Sequence, residues 1–280
     1  MFELIDLHTH SHYSDGSLAP ADLVGRAALR KVTVLALTDH DTVAGCGEAL
    51  AACRTHGIGF VPGAELTAGW RGQEIHVVGL GLDTAHPGLG QHLAHTLGLR
   101  RTRIGAIGEK LRREPALGGQ DPAAAVLAGT AVPTRTHVAR ELVRLGLADS
   151  VQQAFDRYLA RRRSGYVPQE WSDLTSSIAA IAAAGGAAVL AHPHRYKLSH
   201  GGLKELCGAF RDAGGVGLEV SLAGTSPADA ARLASLARAF ALAGSVASDF
   251  HEPGLPWRPL GRFAKLPDQI APILARLTPL

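Results

Sequence analysis

Seven short runs rich in β-branched and apolar residues recur along the chain, and most of them lead into a histidine, aspartate or glutamate. The runs are Phe2–Leu7, Val32–Leu37, Ile58–Glu65, Glu74–Leu82, Ala187–Leu190, Val216–Val220 and Ser245–Ala247. Helix-like segments lie between them. "PADLVGRAALRK" has Pro20 near its start, while "SDLTSSIAAIAAAGG" and "SPADAARLASLARAFALAG" begin on Ser/Asp caps and end at glycines. Strand alternating with helix predicts parallel βα units. The residue after each strand narrows the choice further. "IDL" runs into His8 and His10, "VTVLAL" into Thr38–Asp41, "IGFVPGA" into Glu65, "AAVLA" into His192–His194, "VGL" into Glu219 and "SVAS" into Asp249 and His251. In barrels of parallel strands the active site is built at that end, by the loops that follow. A random scatter of histidines would not repeat the placement.

One region breaks the rhythm. From about Leu97 to Gln169 the segments "LGLRRTRIGAIGEKLRR", "RTHVARELVRLG" and "SVQQAFDRYLARRR" read as amphipathic helices with no strand between them. The predicted organisation is an α/β scaffold over residues 1–96 and 170–280 with an inserted helical subdomain over 97–169. No repeat period and no low-complexity tract beyond Ala-rich helices is visible. The net charge of +3 is mildly basic and does not by itself argue for a nucleic-acid binder. Three cysteines without a CxxC spacing exclude a disulfide framework and fit a reducing compartment. "MFELIDLHTH" has no basic stretch or long apolar run, so neither a signal peptide nor a membrane span is expected. A cytoplasmic protein with no membrane contact and no stable protein partner is the expectation.

His8 and His10 are two apart on a strand and share a face, and Asp249 and His251 repeat that spacing. Imidazole mixed with carboxylate suits zinc, manganese or iron rather than an all-oxygen calcium or magnesium site. No cysteine lies in these motifs, which argues against a closed structural zinc site. Each motif alone has an ordinary explanation. A single His-x-His is weak, "TDHD" can be a turn with a helix cap, Glu65 can pair with an arginine, His76 can be a core histidine and His137 a surface one. Their joint placement at strand ends carries the metal reading. His56, His86, His92, His95 and His200 read as surface or loop residues, and the Arg161–Arg163 run, also a candidate for a substrate phosphate, has solvated charge as its ordinary reading.

The pieces "DLHTHSHYSDG", "LALTDHDT", "GAE", "IHVVG", "AHPH" and "SDFH" resemble, in order, the motifs of the PHP (polymerase and histidinol phosphatase) domain family. They span residues 6 to 251. The chain is similar to the family's stand-alone phosphoesterases, which share the "RTHVARELV"-like segment and a second one at Tyr158–Pro168. That resemblance implies a distorted seven-stranded (β/α) barrel and a trinuclear centre. His8, His10, Glu65 and Asp249 would hold one metal. Asp15, His40 and His251 would hold a second. Glu65 would bridge to a third, shared with His76 and His137. Three divalent ions per chain are implied, manganese first, with zinc or iron as alternatives. The nucleophile would be a metal-bound hydroxide, with His192 a further candidate as ligand or catalytic residue.

Guanidinium groups recognise phosphate with a planar fork of donors, so Arg135 and Arg195, with His194, are candidates for a second substrate phosphate. Asp39 and Asp41 are expected to orient ligand imidazoles, and Asp6 to do so or to be structural. The resemblance implies hydrolysis of the 3′-phosphate of nucleoside 3′,5′-bisphosphates, together with 5′-to-3′ trimming of short 5′-phosphorylated RNA. A small nucleotide or short RNA is thus the expected partner. Histidinol-phosphate phosphatase is the alternative, and a non-catalytic metal-binding accessory module a third. "HEPGLPWRPLG" follows the last motif, and its Trp257 would stack on a base or simply pack.

Overall fold

The computed structural model describes residues 4–254 and 258–280; Phe2 and Trp257, which entered the sequence reading, lie outside them. Seven strands form one sheet in chain order: β1 Leu4–Asp6, β2 Val32–Leu37, β3 Gly59–Trp70, β4 Gln73–Leu80, β5 Ala187–Leu190, β6 Gly217–Leu222 and β7 Ala243–Ala247. The first and last strands also touch, through Leu7 N–H to the Val246 carbonyl at 3.1 Å. Helices α1 Pro20–Leu29, α2 Cys46–His56, α3 Pro87–Leu111, α4 Pro122–Gly129, α5 Arg135–Arg144, α6 Val151–Ala154, α7 Leu174–Ala183, α8 His200–Asp212 and α9 Pro227–Ala239 lie between the strands or within the long β4–β5 connection.

The expected parallel pairing holds for β1–β2, β2–β3, β5–β6 and β6–β7. It fails around β4, which runs antiparallel to both β3 and β5. The cause is local. Arg71 and Gly72, at φ 47° and 73°, join β3 to β4 with two left-handed residues. A two-residue loop of that hand makes a hairpin, and a parallel crossover needs a dozen residues or more.

The chain divides into two compact units, Met1–Leu93 with Trp171–Leu280, and Ala94–Glu170. In the first, the strands alternate between two apolar layers. Leu35, Leu66 and Leu218 pack on the helices, through Leu23 of α1, Ile178 of α7 and Phe210 of α8, while Val34, Val61, Val78 and Val189 form a separate cluster on the other face. Helix caps follow the sequence signals: Asp173, Ser199 and Ser226 each accept a backbone N–H at the start of α7, α8 and α9. In the second unit, Ile104, Ile107 and Leu111 make an i, i+3, i+7 stripe on α3 and pack with Val138 and Leu142 of α5. Among the described residues, no helix is long and apolar enough to cross a membrane.

Candidate metal centre

The strand ends are laced together by their backbones. Asp249 N–H donates to the His8 carbonyl, His10 N–H to that of Phe250, and Thr38 N–H to that of Thr9, each at 2.9 Å. Glu65 and the Asp39–Asp41 segment exchange two further bonds, at 2.9 and 3.1 Å. Three residues at these ends sit in the left-handed region without being glycine: Asp41 (φ 46°), His192 (φ 30°) and Asp249 (φ 52°). Each such residue costs about 1–3 kcal/mol and persists where its surroundings over-determine it, typically at a site.

Glu65 is the hub. Its Oε1 accepts from His76 Nδ1 and His192 Nε2, both at 2.9 Å. Its Oε2 stands 3.2 Å from His8 Nε2, 3.3 Å from His10 Nε2 and 3.0 Å from His40 Nδ1. The Nε2 atoms of His8 and His10 face one another at 3.0 Å, and Asp249 Oδ1 lies 3.6 and 3.3 Å from them. Asp15 Oδ1 is 3.6 Å from His40 Nε2 and 3.3 Å from His251 Nε2. His251 donates Nδ1–H to the Asp249 carbonyl at 2.9 Å, which turns its Nε2 toward Asp15. β4 brings His76 to this end by its first residues rather than its last, because it runs the other way.

Burial and charge compete throughout the cluster. Burial alone would raise the Glu65 carboxyl, but His40, His8 and His76 hold it well below the usual range. Asp15 and Asp249 are likewise held down against burial, Asp15 by His40 and His251, Asp249 by Arg258 and Arg195. Burial would lower the imidazoles. The carboxylates around them win for His8, lifted well above 6.5, for His10, at about 9, and for His76, at about 10. His192 goes the other way, to about 4, because burial dominates. His251 is also lowered, by burial and then by His10.

Three sets of donor atoms lie close enough to share an ion: His10, Asp15, His40 and His251; His8, His10 and Asp249; His40, Glu65 and His76. Within each set the donor atoms are within 4.8 Å of one another. The residues fit divalent metal on chemistry. Glu65 Oε2 is buried without an aligned hydrogen bond, yet three ring nitrogens surround it. Two facing imidazole nitrogens against shared carboxylates form the mixed nitrogen and oxygen set that borderline metals prefer.

The other residues singled out in the sequence fall as follows. His192 is in the cluster, and its Nδ1 has no hydrogen-bond partner among the described residues. Arg195 donates to Asp249 Oδ2. His194 is partly buried, and its pKa is lowered by burial and then by Arg195. Arg135 and His137 belong to the second unit. Arg135 lies over the Phe155 ring at 5.7 Å. His137 caps α5, where its Nδ1 accepts the Thr134 N–H at 3.1 Å. That bond puts the proton of a neutral ring on Nε2, so a metal on Nε2 requires the cap bond to be released.

Asp39 and Asp41 are both bound by main-chain and hydroxyl donors. Asp39 accepts from Ser11 N–H and from the Ser11 and Ser14 hydroxyls at 2.6–2.7 Å, and reaches an imidazole only through Ser14 Oγ, 3.4 Å from His10 Nδ1. Asp41 accepts from the Thr67 N–H and hydroxyl. Asp39 thereby ties the turn holding Ser11 and Ser14 to the end of β2, and Asp41 ties that end to Thr67 of β3. Asp6 accepts from Ser248 and Gly261 N–H and is structural, with burial lifting it to about 6.

Three contributors had no role in the sequence reading. Arg258 approaches Asp249 Oδ2 at 3.2 Å. The Tyr196 hydroxyl accepts from His76 N–H and donates to the Ala191 carbonyl, both at 2.9 Å, so it pins β4 beside β5. No motif or period marks either residue. Glu219 did carry a signal, its place at a strand end. It accepts from His8 Nδ1–H at 2.7 Å through Oε1 and from the His192 N–H through Oε2. His8 Nε2 is thereby turned to the cluster, where its lone pair is available once the ring is neutral. Glutamine at 219 keeps the size but has one acceptor for two donors. Glu219→Gln is expected to weaken Mn²⁺ binding by metal-stripped protein about 10–100-fold, read from the spin-resonance signal of free Mn²⁺. An unchanged affinity would remove Glu219 from the orientation of His8.

The PHP domain family profile matches residues 6–205. The 5′-3′ exoribonuclease of Haemophilus influenzae is 41% identical over 98% of this chain and 98% of its own. The 3′,5′-nucleoside bisphosphate phosphatase of Chromobacterium violaceum is 38% identical over 98% and 96%. A solved structure described as an amidohydrolase from Chromobacterium violaceum, with bound sulfate and no metal, superposes at a TM-score of 0.90 with 37% identity, covering 97% of this chain and 95% of that one.

Proposed function

The chain belongs to the PHP domain family, and from that membership we propose that it is a metal-dependent phosphoesterase acting on nucleotide 3′-phosphates. It removes the 3′-phosphate of nucleoside 3′,5′-bisphosphates to leave 5′-monophosphates, and trims short 5′-phosphorylated RNA from its 5′ end. The observation that carries this is the buried ring of imidazoles and carboxylates around Glu65, in a chain aligned nearly end to end with relatives bearing those two names. We read the sheet as a distorted barrel, which the Leu7–Val246 bond supports.

Three ions, manganese first, would be held by His8, His10 and Asp249; by Asp15, His40 and His251; and by Glu65 with His76. When bound, such ions neutralise phosphoryl oxygens and activate water for in-line attack. His137 as a further ligand and Arg135 as a substrate contact rest on residue type and the family likeness. Arg195, beside Asp249, offers its guanidinium to a substrate phosphate, with His194 next to it in sequence. His192 has a narrower role open to it. With Nε2–H given to Glu65, the neutral ring presents a bare Nδ1, which accepts a proton but has none to give. The bisphosphatase and nuclease reactions share one bond change: water oxygen joins phosphorus and the 3′-oxygen leaves.

The test is phosphate release from adenosine 3′,5′-bisphosphate with added Mn²⁺, beside histidinol phosphate and a short 5′-phosphorylated RNA. Faster release from the bisphosphate than from histidinol phosphate is expected. Arg195→Gln is expected to raise KM for the bisphosphate about 10–100-fold, the loss of one charged hydrogen bond. Preference for histidinol phosphate would overturn the substrate and keep the metal site.

A further inference from the structure

We infer that the helical unit Ala94–Glu170 carries a surface that holds the phosphate backbone of single-stranded RNA, formed by Lys110, Arg113 and Arg161–Arg163. This rests on the nuclease half of the proposed function. The chain's small net charge conceals a division. Residues 94–170 hold thirteen Lys/Arg against seven Asp/Glu, a net of +6 in 77 residues. The other 203 residues hold fifteen against eighteen, a net of −3. Such asymmetry within one chain is the electrostatic footprint of a polyanion partner.

The excess is concentrated at one place. Gly165 lets the loop after Tyr158 close onto the end of α3, since a Cβ there would stand 2.8 Å from Leu111 Cδ2 and 2.9 Å from the Tyr158 carbonyl. Lys110 Nζ then donates to the Tyr166 carbonyl at 2.7 Å. The contact holds the loop that carries Arg161, Arg162 and Arg163 against the end of α3, which carries Lys110 and runs on to Arg113. All five are exposed, and none has an ion-pair partner among the described residues. Their neighbour Arg112 and the more distant Arg144 are both paired, with Glu109 and Glu141.

Five exposed cations without ion-pair partners, on two segments in contact, suit a run of phosphates better than a single anion. Among the described residues of this unit no large apolar side chain is exposed to seat a protein, whereas partly exposed Tyr166 supplies an aromatic ring on the same loop as the arginines. Cations with an interleaved aromatic are the usual means of holding a single strand without reading its sequence.

Fluorescence anisotropy of a labelled, 5′-phosphorylated 12-nucleotide RNA tests this on the full protein in EDTA, where no hydrolysis occurs. The triple variant Arg161→Gln, Arg162→Gln, Arg163→Gln is expected to bind roughly tenfold or more weaker at 50 mM salt. Its slope of log affinity against log salt should be shallower by about 2, at about 0.7 per phosphate contact. The matching Arg→Lys triple should restore both, because charge alone is needed, and it shows that the loop tolerates substitution. Equal affinity and slope in the glutamine triple would overturn the inference. So would displacement of the RNA by poly-glutamate at equal charge, which would mark an acidic-protein surface instead. A parent protein that binds RNA in EDTA but releases no nucleotide from it with Mn²⁺ would sink the nuclease reading and leave this surface standing.

Discussion

Replacing Glu65 with glutamine should lower phosphate release from adenosine 3′,5′-bisphosphate by about 10³-fold or more. The size follows from what the residue touches. Five imidazoles approach its two oxygens within 3.3 Å: His76 and His192 at Oε1, and His8, His10 and His40 at Oε2. Glutamine keeps the shape but removes the charge, and it puts an NH₂ where ring nitrogens need an acceptor. A metal contributes several kcal/mol to a phosphoryl transition state. With each 1.36 kcal/mol worth a factor of ten, the loss of even one ion reaches about three powers of ten. Metal content of the purified variant should fall in parallel.

A collapse of the fold would give the same loss, so a control is needed. Removing one partner of a buried charged pair costs about 3–5 kcal/mol. The backbone around Glu65 is pinned on both sides, by Glu65 N–H to the Asp39 carbonyl and Asp41 N–H to that of Glu65. Glu65→Asp keeps the charge and that backbone, and withdraws the carboxylate. It should melt close to the parent and still lose most activity. Wild-type turnover by folded Glu65→Gln would refute the hub role outright.

The strands were legible because burial on both faces leaves continuous apolar runs, and β2 and β5 coincide with their predicted bounds. Most of the clustered histidines and carboxylates were legible because parallel strands deliver their polar residues at one end. β4 shows the limit of that logic. Its histidine stands early in the run rather than at its end, since the Arg71–Gly72 hairpin reverses the strand. Read as a parallel strand, the same run would place His76 far from the rest of the cluster. What lay out of reach was the layer behind the ligands. Arg258 and Tyr196 act through distances in space that no local spacing encodes, 3.2 Å to Asp249 and 2.9 Å to the His76 N–H. The partners of Asp39 and Asp41, Ser11 and Thr67, lay out of reach for the same reason, since they stand on other segments of the chain. The cysteines needed no structure: all three are buried and free, with burial lifting Cys53 and Cys207 to about 12, so neither offers a thiolate ligand.

Metal and protons should compete for the same nitrogens, and pH therefore sets both affinity and stability. In the metal-stripped protein the surrounding carboxylates lift His10 to about 9, His76 to about 10 and His8 well above 6.5, so the cluster holds protons near neutrality, the facing His8 and His10 nitrogens sharing one and His76 carrying another. An ion can bind only by expelling those protons. At pH 7.5, Mn²⁺ binding is expected to release roughly two protons per chain, measurable by pH-stat titration. Affinity should rise about tenfold per pH unit for each proton displaced. For stability the sign is fixed by the direction of the shifts. Folded values raised above the unfolded 6.5 contribute stability that is complete below that pH and lost as pH climbs through 9 to 10. The carboxylates Asp15, Glu65 and Asp249, held low, contribute above their unfolded values and lose that only in acid. His192, lowered to about 4, acts below 6.5, also outside the window. The melting temperature of stripped protein should therefore fall between pH 8 and pH 10. A flat or rising curve there, or metal uptake without proton release, would mean that the imidazoles are neutral before the metal arrives and that the carboxylates around Glu65 do not govern them.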